Sequence, residues 1–345
     1  VKSFHCTHCK APVFFENVQC MNCNLPLAFL PDLRIMAALE MGPDGLYALV
    51  PDQRSYRLCA NYVQQGVCNW AVAAADPLAL CVSCRLTRVI PNLTQQGNRA
   101  AWYRLECAKR RLVFSLLELG LPFDAWNADA GALAFEFLQD SQCGDAGRVL
   151  TGHDNGVITI NVAETDDALR ERQRNRQGEP YRTVLGHFRH EIGHYYWDRM
   201  IQFGPNLSAF RQLFGDERAD YAKALQIHYA QGPRAEWQNE FISAYASSHP
   251  WEDWAESWAH FLHMTDALET AEAAGLSLPQ SSPGGRSPSA SRGFDQLVRS
   301  WIPLTHVLNN LNRGLGLPDC YPFVLSTTII AKLRFIDQIV RNAPH

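Results

Sequence analysis

The stretch Gly186-His187-Phe188-Arg189-His190-Glu191-Ile192-Gly193-His194-Tyr195-Tyr196-Trp197-Asp198 contains the pattern His-Glu-x2-His. On an α-helix, His190 and His194 stand one turn apart on the same face, so both imidazoles can reach one Zn2+. Glu191 projects beside them, where a carboxylate can act as general base toward a water. A helix suits the segment, because Leu185, Phe188, Ile192 and Tyr196 form an apolar stripe on its other side.

A zinc that performs chemistry needs a third protein ligand and an open fourth position. The segment from His249 to His263 offers one. Pro250 suits the first turn of a helix, and Trp251, Trp254, Trp258 and Phe261 recur as a core stripe. Glu252, Glu256, His260 and His263 share the opposite face. Carboxylates at i and i+4 can divide the work, one binding the metal and the other accepting a hydrogen bond from a ligand histidine. Glu252 is assigned as the ligand and Glu256 as the partner of the histidine, with Glu256 or His260 as alternative ligands. Gly215-Asp216-Glu217-Arg218-Ala219-Asp220 is a second acidic cluster and reads as a charged helix start.

A different metal chemistry marks the N-terminus, where eight of the 11 cysteines fall within the first 84 residues. Cys6-x2-Cys9 and Cys20-x2-Cys23 are two knuckles whose sulfurs can converge on one tetrahedral zinc. Cys59, Cys68, Cys81 and Cys84 form a looser set, with a single standard knuckle, and are assigned to a second site. Four thiolates close the zinc shell, so both sites would be structural. Cys107, Cys143 and Cys320 lie far apart and read as core thiols.

These groups need two kinds of scaffold. Up to Leu93 the sequence is Cys-rich, broken by Pro and Gly, and carries short β-like pieces such as Pro12–Phe15 and Leu46–Val50. From Asn98, apolar residues at helical spacing run from Ala101 to Leu119, and Gly120 with Pro122 closes the helix. The expected domains are therefore residues 1–93, holding both cysteine sets, and a mainly helical 98–345. Within the latter, residues 149–162 read as a hairpin turning at Asp154-Asn155-Gly156, and Ser277–Arg292 as a low-complexity surface loop. The fold class is α+β.

Composition narrows the setting. With 345 residues, 47% apolar and 19% charged, the chain has the balance of a globular protein and not that of a disordered one. It has no long apolar run, so no membrane-spanning helix is expected, and its net charge of −4 argues against a generic nucleic-acid binder. The first residues lack the pattern of a secretory signal, and clustered cysteines suit metal binding in a reducing compartment, so the cytoplasm is expected.

Taken together, Phe4-His5-Cys6-x2-Cys9, Leu58-Cys59-Ala60-Asn61-Tyr62, Cys68-Asn69-Trp70, the string around His190, and Ser243 through Glu256 resemble the bacterial zinc-binding metallopeptidases that carry an N-terminal zinc ribbon. The resemblance implies a zincin-type domain that hydrolyses peptide bonds, an endopeptidase in preference to an exopeptidase, with one catalytic zinc and one or two structural ones. The site also resembles the gluzincins, whose third ligand is a glutamate on a later helix. Tyr245-x6-Glu252-x3-Glu256 is similar to the anthrax lethal-factor type, which implies that Tyr245 faces the site and stabilises an oxyanion; a plain core tyrosine is the alternative. The same resemblance implies that the Val157–Val162 strand holds a peptide substrate. Two further readings stand beside this one: a gated or self-directed peptidase, and a ribbon scaffold binding protein or nucleic acid. Lys109-Arg110-Arg111 and Arg170–Arg176 are the basic runs that would serve nucleic acid, although such runs are usually solvated faces. The intact Glu191 favours an enzyme.

Overall fold

The computed structural model describes residues 2–50, 54–123, 131–140, 149–177, 183–276 and 293–343. It divides into two compact units, Val1–Asp166 and Asp167–His345. The architecture is α+β, with a β-rich N-terminal zinc-ribbon region and a mostly helical remainder. Cys143 and the Ser277–Arg292 loop lie outside the described residues.

In the first unit, β1 (Phe4–His5) and β2 (Pro12–Val13) form a short antiparallel ribbon. β3 (Leu27–Leu30), β4 (Ile35–Met41), β5 (Tyr47–Leu49), β6 (Ser55–Leu58) and β7 (Ala71–Ala73) follow as an antiparallel sheet in that order. A bridge between Phe29 and Trp70 brings β3 to the start of β7, so the sheet curls back on itself around Leu30, Leu39, Leu49 and Tyr56. The second sheet has the order β10-β11-β9-β8, built from β8 (Thr87–Val89), β9 (Ala134–Leu138), β10 (Gly152–Asp154) and β11 (Val157–Asn161). β10 and β11 are the expected hairpin, with Asn155 at φ 47° and Gly156 at φ 87° in the turn. Gly156 is required twice over, since a Cβ there would lie 2.5 Å from the Ala132 carbonyl oxygen.

The expected boundary between Pro91 and Asn98 falls inside this unit. β8, before it, pairs in parallel with β9, beyond it. The helix α1 (Asn98–Glu118) also sends Phe114 into the ribbon's aromatic cluster, against Phe4, Phe15 and Phe29. Packing continues where composition changes.

One basic run departs from expectation. Lys109 and Arg110 are buried, at 0% and 2% exposure, and form no solvated face. Lys109 lies over the rings of Phe135 and Phe137 on β9 and pairs with Glu106 at 2.8 Å. Arg111 pairs with Glu16 at 2.7 Å. α1 is covered on more sides than its own charge pattern allows, and the ion pairs make that burial tolerable. In the other run, Arg170 pairs with Asp167 at the start of α2 (Asp167–Gln177).

The second unit continues with α3 (Val184–Met200), α4 (Leu207–Phe214), α5 (Tyr221–Gln231), α6 (Pro250–Ala273), α7 (Phe294–Gly314) and α8 (Thr327–Arg341). Thr183 caps α3 through the Gly186 amide, and His249 caps α6 through the Trp251 amide, ahead of Pro250 at its first turn. Asp220 caps α5, so the acidic cluster before it does serve as a helix start. α3 and α6 pack closely. A Cβ on Gly193 would come within 3.0 Å of the Ala255 Cα and 3.1 Å of the Trp258 Cβ, and the Trp254 indole donates to the Gly193 carbonyl at 2.8 Å. Cys320 is exposed and not a core thiol, because it sits in the connection before α8, with its sulfur toward Asn309.

Candidate metal centres

α3 presents His190 and His194 one turn apart, and α6 brings Glu252 against them. His190 Nε2 and His194 Nε2 lie 3.2 Å apart, and Glu252 Oε2 is 3.0 Å from the first and 3.6 Å from the second. Zinc with ligands at about 2.0–2.1 Å in a tetrahedron spaces them about 3.3 Å from one another. Glu252 is 1% exposed, and its Oε2 is buried with no hydrogen-bond donor aligned on it. Two imidazole nitrogens and a carboxylate oxygen at this spacing fit a zinc ion.

The surrounding groups orient the three. Glu256 Oε1 meets His190 Nδ1 at 2.7 Å, and Ser243 donates to Glu256 Oε2 at 2.6 Å. With Nδ1 donating to Glu256, a neutral His190 would turn its Nε2 lone pair toward the cluster. Tyr221 donates to the second oxygen of Glu252 at 2.6 Å. The Trp251 ring stands 4.6 Å from that of His194, edge to face, so this half-buried tryptophan flanks the site in addition to joining the core stripe. Tyr245 lies in a short turn, Tyr245–Ser247, with its ring 6.0 Å from that of His190. His260 is outside the group; its Nδ1 meets the Tyr321 hydroxyl at 3.0 Å.

Electrostatics follow from burial. Burial raises the pKa of the Glu191 carboxyl, and the neighbouring His190 and His194 oppose the rise. For His190, burial disfavours the charged ring, but hydrogen bonds to Glu252 and Glu256 outweigh it and hold its pKa well up. Burial would likewise raise Glu252, and His194 and His190 pull it well below the usual carboxylate range. Two buried ion pairs brace the helices beside these residues. Arg189, next to His190, pairs with Asp266 of α6, and Asp253, next to Glu252, pairs with Lys332 of α8 at 2.6 Å.

The eight N-terminal cysteines form two tetrads. Sulfur separations are 3.7 Å for Cys6–Cys23, 3.5 Å for Cys9–Cys20 and 3.8 Å for Cys68–Cys81. Zinc–sulfur arms of about 2.3 Å give an edge of about 3.8 Å, so both tetrads fit zinc. Each knuckle of the first tetrad closes on a left-handed residue, Lys10 or Asn24, whose amide returns to the carbonyl of Cys6 or Cys20. Cys59 and Cys68 meet despite their long separation because a helical turn, Asn61–Gln65, ends at Gly66 with φ 66° and sends the chain back.

Residues 98–339 match the family described as "Putative zinc-binding metallo-peptidase". The chain belongs to this family. At that level it is a zinc-binding metallopeptidase, and residues 3–95 match a zinc-ribbon domain. Relatives from Mycobacterium bovis and Mycobacterium tuberculosis, both described as uncharacterized proteins, are each 43% identical over 342 residues, covering 99% of this chain and 95% of theirs. No solved structure matches. Among the described residues, no helix is long and apolar enough to cross a membrane.

The spacing of His190, His194, Glu252 and Glu256 announces itself in the sequence; that of Tyr221 and Ser243 does not. Each reaches its carboxylate by tertiary folding, 31 and 13 residues away. The only signal near Tyr221 is the capping aspartate before it.

Proposed function

We propose that this family member is a gluzincin-like endopeptidase that hydrolyses peptide bonds in a peptide or protein substrate, with His190, His194 and Glu252 as its catalytic zinc ligands. The supporting observation is the convergence of those three ligand atoms at the spacing of a zinc tetrahedron. Zinc, when bound, supplies Lewis acidity that acidifies water and polarises the scissile carbonyl. Glu191 accepts the proton of the attacking water on its carboxylate and delivers it to the departing amine nitrogen. Its burial raises its pKa, the direction that helps it hold the proton taken from water. Glu256 fixes the His190 ring, and Tyr245 donates its hydroxyl to the oxyanion that develops on the carbonyl. β11, the strand that the resemblance gives to substrate, lies between β10 and β9 and has no free edge, so no substrate pairing is assigned to it. The two cysteine tetrads hold one structural zinc each, which supports a reducing compartment such as the cytoplasm.

The test is Glu191→Gln, in zinc content and in peptide turnover. Retained zinc with turnover reduced at least about a thousandfold is expected, since the base is lost and the ligands are not. Loss of the metal, or unchanged turnover, overturns the assignment.

A further inference from the structure

Three consecutive cations on α1 meet different fates. Lys109 is paired with Glu106, and Arg111 with Glu16. Arg110, between them, is 2% exposed and donates to the Val67 carbonyl and, at 3.2 Å, toward the Cys107 sulfur. Among the described residues no carboxylate lies within ion-pair distance of its guanidinium. An arginine cannot shed its proton to relieve burial, and a buried charge without a counter-charge is strongly destabilising.

The second tetrad is the candidate for that counter-charge. Val67 immediately precedes Cys68, so the guanidinium grips the loop that carries a candidate ligand. Burial works against the Arg110 charge, and the groups acting in its favour are led by Cys68, with Cys107, Glu106 and Cys84 after it. As four neutral thiols the tetrad would offer Arg110 nothing. Four thiolates around Zn2+ carry a net double negative charge.

The two tetrads differ in the same sense. Cys9 and Cys23 of the first are partly exposed, so water can screen a charged centre there. All four sulfurs of the second are buried, and only the protein can balance them. Amides do part of this, from Trp70 to Cys68 at 3.4 Å and from Cys81 to Cys59 at 3.3 Å. The buried Arg110 of α1 offers a full positive charge beside the loop that carries Cys68.

We propose that Arg110 is the buried counter-charge of a zinc tetrathiolate formed by Cys59, Cys68, Cys81 and Cys84, which ties α1 to that metal. The proposal rests on the second tetrad holding zinc and is independent of peptide hydrolysis.

The experiment measures zinc per full-length chain against increasing chelator for wild type, Cys84→Ser, R110Q, R110K and R111Q. Cys84→Ser is expected to hold one equivalent fewer than wild type. R110Q should release one equivalent at a chelator concentration about tenfold lower or less, the usual effect of removing a group that supports a metal ligand. R110K, which keeps the charge, should stay within about threefold of wild type, and R111Q should coincide with it. A wild-type curve for R110Q overturns the proposal while Cys84→Ser still upholds the second zinc site. An R110K curve as weak as R110Q overturns it too, because charge would then not be the cause. If Cys84→Ser loses no equivalent, the zinc site and the proposal fall together. Should R110Q not accumulate folded, hydrogen exchange on wild type before and after zinc stripping decides. Protection around Arg110 in α1 is expected to fall on stripping, and unchanged protection refutes the link.

Discussion

Tyr221→Phe removes one oxygen and tests how Glu252 is held. The hydroxyl donates to Glu252 Oε1 at 2.6 Å, and the carboxylate is 1% exposed. A hydrogen bond to a charged group contributes about 1.5–3 kcal/mol, and a buried acceptor left without its donor belongs in that range. Tyr221 itself is 37% exposed, so water can reach part of the vacated space and moderate the loss. The lower half of the range, about 1.5–2 kcal/mol, corresponds to zinc binding weakened about 10- to 30-fold. The phenyl ring should keep its seat beside His249 and Trp251, whose ring centres lie 5.2 and 6.0 Å away, so global stability should barely change. The assay is chelator competition on the full chain, following the equivalent that His190→Ala removes, with a thermal melt of the zinc-loaded protein beside it. Unchanged affinity for that equivalent would refute the orientation of Glu252 by Tyr221. A lowered melting temperature with intact affinity would make the residue structural only.

Other perturbations probe the frame around the site. Lys332→Met strands Asp253 in a buried position and should cost about 3–5 kcal/mol in urea unfolding, with much of it recovered when Asp253→Leu is added. Gly193→Ala forces α3 off α6, which should cost about 1–3 kcal/mol and weaken zinc binding together, read by melting and metal content. His260 is buried, and burial lowers its pKa to about 4, with Glu256 opposing the shift and Arg189 reinforcing it. An unfolded histidine takes up its proton near pH 6.5 and the folded one does not, so stability is full above pH 6.5 and is lost as pH falls toward 4. Between pH 6.5 and 5 the loss should be about 1.6 kcal/mol, and His260→Gln should flatten that slope in urea titrations.

What the sequence makes legible is what is local. His190 and His194 are one helical turn apart, and each Cys-x2-Cys is a single tight turn, so spacing alone predicts which atoms face one point. Glu252 and Glu256 are one turn apart as well, but their approach to His190 depends on a glycine, Gly193, that lets α6 come close. Tyr221 and Ser243 belong to no local pattern, because their partners arrive from other elements. Lys109 and Arg110 illustrate the opposite error: charge suggests solvent, while burial is imposed by the aromatic cluster and by β9 packing around α1. The parallel pairing of β8 with β9 is hidden for the same reason, since only folding joins strands so far apart.

α6 packs against α3, α4, α7 and α8, and nearly every side chain on its first three turns is already engaged. Trp254 reaches the backbone of α3, Asp253 pairs with α8, and Glu252 and Glu256 are both spoken for. Such a helix leaves little room for drift, because any replacement is felt by several neighbours at once. Replacements are therefore better tolerated on elements with a free face. α5, none of whose residues is buried, is such an element, with Tyr221 at its start tied to Glu252 as its one fixed point.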